Sequence, residues 1–261
     1  MQMPNLIQFE WLKDSLGFEC REIDTSELES RATDAGATRF KASMLHHLAD
    51  EGQGHLFIAP RGGKHVRSEP HKEHPAVFKE FADWDLSKVG AETLASRIGP
   101  LGILKPGLES TGAQWSLPIT FEPLREWREA AVEMKAAVTA WEIGKTTGNM
   151  DTVIDLVNSR AKESGTTFGI PPAGHHIRPD VKLAKSTDAR RPALFLTPNS
   201  LLEFMWLQFA QAVSADVQLQ RCAECPTWYP FGTGTGRRKS ALYCSDKCRK
   251  AASRRRGKAV S

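Results

Sequence analysis

No stretch of this chain reaches the roughly 18 consecutive apolar residues that a membrane-spanning helix needs. The nearest, Leu201–Val213, is interrupted by Glu203, Gln208 and Gln211. The amino terminus, MQMPNLIQFEWLKD, lacks the basic-then-apolar order of a secretory leader. There is no phosphate-binding glycine loop, no dinucleotide fingerprint and no internal repeat. Nor can a Ser/His/Asp or Cys/His constellation be assigned, so enzymatic activity is not expected. The reading that survives is a soluble, cytoplasmic protein with no membrane partner. At 40% apolar residues in 261, the chain can build a substantial core.

Acid is missing from one place. From Arg237 onward there are ten Lys/Arg and a single acid, Asp246, a balance of +9. The first 236 residues carry 25 Lys/Arg against 30 Asp/Glu, or −5. A mildly acidic body with a strongly basic tail points to a polyanionic partner, most often nucleic acid. A solvated, disordered end would give the same composition.

Cysteine is scarce, yet four of the five are clustered as Cys222, Cys225, Cys244 and Cys248. The pattern is C-x2-C, 18 residues, C-x3-C. In an intracellular protein such spacing signals zinc rather than disulfides. Four thiolates can surround one Zn²⁺ tetrahedrally, leaving no open position for a substrate, so one structural ion is expected. Arg221, Arg237, Arg238, Lys247 and Arg249 lie close in sequence and would offset the −2 charge of a Zn(Cys)4 centre. The segment reads as a treble clef. A tight turn lies at RCAEC, and the glycine-rich GTGTGRRKS joins two short strands. Ser245 caps a helix that carries Cys248 in its first turn. Trp228, Tyr229, Phe231 and Tyr243 would form a small core, with Ala251 and Ala252 available for close packing. Cys20 stands apart as a buried, idle thiol.

The stretch RCAECPTWYPFGTGTGRRKSALYCSDKCRKAASRRR resembles the C-terminal zinc finger of bacterial CGNR-type proteins. The blocks VFKEFADWDLSKVGAETLASRIGPLG, EPLREWREAAVEMKAAVTAWE and LLEFMWLQFAQAV are similar to recurring blocks upstream of such fingers. The resemblance implies a transcription regulator. The motif itself differs: Cys248 is followed by Arg249, Lys250 and Ala251 instead of Gly-Asn-Arg. YCSDKC also resembles the second half of a MYND-type finger, which binds proteins.

Upstream, NLIQFEWLKDSLGF reads as strand and turn, residues 24–50 as helical, and GHLFIAP as a strand ended by Pro60 and a glycine turn. KHVRSEPHKEH reads as a polar loop. Short helices are predicted over Pro75–Trp84 and Asp85–Ile98. A long helix runs from Glu122 to about Ile143, with Leu124, Trp127, Ala131, Met134, Val138 and Trp141 along one buried stripe. A further helix spans Asp151–Ser164. VKLAK and ALFLTP pair as strands. A helix capped by Asn199 or Ser200 then carries Leu202, Trp206, Phe209, Val213 and Val217 on one face and ends just before Cys222.

The fold expected is therefore α+β: a helix-rich body over 1–218, with a further division near 110–121 left open, and a zinc finger over 219–261. Arg237, Arg238, Lys239, Lys247, Arg249, Lys250, Arg254, Arg255, Arg256 and Lys258 are the candidate contacts to duplex DNA. Lys247, Lys250, Arg254 and Lys258 share one helical face, with Arg249 and Arg256 on a neighbouring one. Two other readings stand beside this one. The finger could dock an acidic protein surface, or His175 and His176 could serve a metal-dependent nuclease. His71 and His74 sit between Pro70 and Pro75, where a loop is expected. His46 and His47 fall in the helix predicted over 24–50.

Overall fold

A computed structural model describes residues 11–23, 56–102, 121–162, 180–185, 192–198, 200–232, 235 and 237–258. The helix predicted over 24–50, the loop bearing His175 and His176, Asn199 and nearly all of the 110–121 division lie outside the described residues.

Strands β1 (Trp11–Asp14) and β2 (Phe18–Glu22) run antiparallel to β3 (Leu56–Pro60) and β4 (His65–Ser68). β1 pairs with β4 and β2 with β3, making one ribbon bent at its middle. The bend is held by Asp14, whose carboxylate accepts from the backbone N–H of Leu16 and Gly63, each at 2.7 Å. Gly17 occupies the left-handed region at φ +83°, and a Cβ there would meet Ser96 Oγ at 2.5 Å. A side chain is excluded both by strain and by space.

The segment read as a polar loop is ordered instead. His65–Ser68 is β4, and Pro70–Glu73 forms a single helical turn, α1. Register against β1 imposes the strand. Pro70 favours the turn because it stands at a helix start, where the missing N–H costs nothing.

Helix α2 (Val77–Ala82) and helix α3 (Lys88–Ile98) follow, α3 being capped by Ser87 Oγ, which accepts from Gly90 N–H at 2.9 Å. β5 (Glu122–Pro123) adds to β3, so the long helix α4 begins two residues later than its pattern suggests, at Leu124, and runs to Thr147. Glu122 is fully buried and accepts from Trp127 Nε1 at 2.8 Å, Leu101 N at 2.7 Å and Gly102 N. These donors satisfy a carboxylate that would otherwise be very costly inside.

The stripe predicted on α4 faces the core as expected: Leu124, Trp127, Ala131, Met134, Val138 and Trp141 are all buried. Helix α5 (Asp151–Lys162) packs on α4, and β6 (Asp180–Lys185) pairs with β7 (Pro192–Thr197) as the sequence indicated. Helix α6 (Leu201–Ser214) is capped by Ser200.

Two features of α6 differ from expectation. It is buried nearly all round, with Leu201, Phe204, Met205, Trp206, Leu207, Phe209 and Ala212 inside, because it is packed from several sides. It also stops at Ser214, so Val217 is beyond it, and a strand, β8 (Gln218–Arg221), leads to Cys222. Rings from α2, α4 and α6 meet at the centre: Phe78 with Phe209 at 5.4 Å, and Phe81 with Trp127 at 6.1 Å. Strand β9 (Trp228–Phe231) and helix α7 (Asp246–Lys258) complete an α+β fold. Among the described residues, no helix is long and apolar enough to cross a membrane.

Candidate metal centre and basic helix

The first cysteine pair occupies the bend between β8 and β9. These strands pair antiparallel from Gln218↔Phe231 to Arg221↔Trp228. Cys222 N–H closes the bend onto Thr227 O at 3.0 Å, and Ala223 N–H reaches Leu242 O at 2.9 Å. Across the glycine-rich turn the described residues show one bridge, Gly232↔Arg237, where two short strands joined by that turn are expected from sequence. Tyr229 is fully buried and donates its hydroxyl to Ala241 O at 2.6 Å, fastening the returning chain.

Ser245 then caps α7 as predicted, its Oγ accepting from Cys248 N–H at 3.3 Å. A cysteine knuckle on a hairpin, a turn, and a helix that starts between the cysteines of the second pair and carries Cys248 are the parts of a treble clef. Of the aromatic residues assigned to a separate small core, only Tyr229 is buried. Trp228 turns the other way and packs against the main core.

All four sulfurs lie within 4.8 Å of one another. Cys225 and Cys244 Sγ are 3.5 Å apart, Cys244 and Cys248 3.5 Å, and Cys225 and Cys248 3.7 Å. Tetrahedral thiolate ligands about 2.3 Å from a zinc ion stand about 3.8 Å apart, so the donor set fits such an ion. Backbone N–H groups of Glu224 and Cys244 point at Cys222 Sγ, at 3.5 and 3.3 Å. Burial works against ionising this thiol, but those donors outweigh it and bring its pKa down to about 7. Burial, and then the neighbouring sulfurs, push Cys244 well above the usual thiol range. A cation among the four sulfurs reverses that preference by stabilising each thiolate. Cys20, by contrast, is buried among apolar side chains, which pushes its thiol up.

Helix α7 is held to the knuckle along one stripe. Cys248, Ala251 and Ala252 are half-buried there, and Arg255 pairs with Glu224 at 2.9 Å. Arg249 pairs with Asp246 on its own helix at 3.1 Å. Arg237 lies over the Tyr229 ring at 5.1 Å. Arg238, Lys239, Lys247, Lys250, Arg254 and Arg256 are exposed and have no acidic partner among the described residues. The predicted basic set thus divides into anchored and free cations, apart from Lys258, whose side chain lies outside what is described.

The finger is seated on the body. Glu80 of α2 accepts from Trp228 N–H at 3.2 Å and pairs with Arg97 of α3. Lys79 Nζ stands 5.1 Å from the Trp228 ring centre. Burial holds Arg97 below the usual guanidinium range, and a thiolate at nearby Cys225 works against that. A cation from the body therefore joins the basic residues that sequence proximity nominated. Glu80, Arg97 and Lys79 carry no signal a single sequence could reveal, since Trp228, which Glu80 and Lys79 meet, is about 150 residues away.

The fold and the cysteine geometry define a treble-clef-like cluster of four cysteines that could hold a metal ion, joined to an α+β body. Comparison with protein-family models, curated proteins and solved structures gives no match.

Proposed function

We propose that this protein is a zinc-bearing DNA-binding protein of the bacterial cytoplasm, a transcription regulator. One structural Zn²⁺ on Cys222, Cys225, Cys244 and Cys248 braces α7 against duplex DNA. One observation carries this reading: α7 starts at the second cysteine pair, and its exposed Lys247, Lys250, Arg254 and Arg256 have no acidic partner among the described residues. The four-thiol donor set favours zinc over harder ions. The resemblance to CGNR-type fingers supports the regulatory role.

Lys247, Lys250 and Arg254 would lie along phosphates, with Arg238 and Lys239 gripping the backbone beside them. About five such contacts give a slope near −4 to −5 for log affinity against log salt. The body would supply ligand sensing or self-association.

The test is retention of sheared genomic DNA by purified protein at about 150 mM salt, a physiological ionic strength, followed by sequencing. Cys244→Ser is the control. An enriched motif that needs the intact finger is the expected result. Retention without a motif would leave only a phosphate grip. Absence of retention would overturn the reading in favour of docking to an acidic protein.

A further inference from the structure

Glu80 lies in α2 with its side chain 3% exposed, and its partners come from elsewhere in the fold. Arg97 comes from α3, and the Trp228 N–H comes from β9 of the finger. His74 Nδ1 lies 3.8 Å away and has no hydrogen-bond partner among the described residues. A carboxylate inside a protein is tolerated only when paired and hydrogen-bonded. Part of that satisfaction exists only when the finger is seated.

The point of contact is specific. Trp228 pairs with Arg221 in the last rung of the β8–β9 ladder. Arg221 immediately precedes Cys222, and Trp228 follows Cys225 by three residues. Glu80 therefore grips the rung that sets the opening of the first cysteine pair. Lys79, the residue before it, covers the Trp228 indole and also pairs with Glu142 of α4 at 3.1 Å. The knuckle is fixed to the body at its base.

We propose that Glu80 and Arg97 are positioning residues of the metal centre. They hold Cys222 and Cys225 in ligating geometry, so metal binding and the packing of α2 and α3 are one coupled equilibrium. This rests on the reading that the four cysteines hold a metal. Residues outside the ligand shell that orient ligands in this way commonly change metal affinity by about 10- to 100-fold when altered.

The test uses the full chain and Zn²⁺ in competition with a coloured chelator. Glu80→Gln keeps an acceptor for Trp228 N–H but loses the charge that pairs with Arg97, and Arg97→Met loses the cation. Each is expected to weaken zinc binding about tenfold or more, with Arg97→Lys recovering part of the loss. Far-UV circular dichroism checks that each variant is folded. Zinc affinity equal to that of the unaltered chain in folded variants overturns the proposal.

A second measurement needs no substitution. Stripping zinc from the unaltered chain is expected to speed hydrogen exchange across residues 77–98. Unchanged protection there overturns the coupling. An unaltered chain that takes up no zinc overturns the metal reading itself, and the inference with it. That outcome is distinct from tight zinc binding that is indifferent to Glu80 and Arg97.

Discussion

Around Trp127 the chain packs Phe78, Phe81, Trp84, Trp141 and Phe209 into one aromatic centre. Around Cys222, among the described residues, it fully buries a single aromatic ring, that of Tyr229. The body is stabilised by apolar area removed from water. The finger has too little such area, and three of its four cysteines remain half-buried. Two things can make up the difference: a cation held among the four sulfurs, as proposed above, and the seat that α2 offers to Trp228. A small motif can therefore be rigid where its own core is insufficient, provided its ligands are fixed from outside.

The strongest way to break this comparison is Cys244→Ser. Removing one of four ligands should abolish tight zinc binding, measured by metal content, and DNA retention with it. Structural zinc contributes about 10–16 kcal/mol in isolated fingers, so the knuckle should not survive its loss. The helical signal of the body should largely remain.

Trp127→Ala tests the opposite region. It opens a cavity at the aromatic centre and removes a donor from Glu122, so a loss of about 3–5 kcal/mol is expected in urea unfolding. Zinc content should stay at one ion per chain in the folded fraction.

Acid offers a finer test of the seam between the two regions. Burial, with Arg97 nearby, brings the His74 pKa down from 6.5 to about 4. Above pH 6.5 the imidazole is neutral in both folded and unfolded chains and costs nothing. Between 6.5 and about 4 the unfolded chain takes up the proton and the folded one resists, so stability falls. Below about 4 both are protonated and the loss levels off, at about 3 kcal/mol from this group. Urea midpoints measured across that window should fall less steeply in His74→Gln.

The smallest effects belong to single cations of α7. Lys247→Ala, Lys250→Ala and Arg254→Ala should each flatten the salt dependence of DNA binding by about 0.9 in slope. Arg249→Ala should change it less, because Asp246 already holds that guanidinium. Equal effects at all four positions would show that this ion pair opens on binding. Exposed pairs of this kind contribute only about 0–1 kcal/mol.

Much of this was legible in the chain itself. Hydrophobic spacing located α4 and its buried stripe. Ser200 and Ser245 marked helix starts, and cysteine spacing picked out the cluster formed by Cys222, Cys225, Cys244 and Cys248. The misreadings share a cause. KHVRSEPHKEH looks like a loop because its residues favour turns, but pairing with Trp11–Asp14, more than fifty residues away, makes a strand of His65–Ser68. The one-sided pattern drawn on α6 omitted Phe204, Met205 and Leu207, which pack against neighbours on its other sides.

Residue periodicity, capping side chains and ligand spacing act within a few residues, so the sequence alone determined the long helices α4 and α6 and the four-cysteine set. Which cations stay free, which are tied to Glu224 or Asp246, and how Glu80 and Arg97 meet the base of the knuckle depended on the tertiary structure. Those groups are brought together by packing of the body, and electrostatic contacts across such distances leave no pattern along the chain.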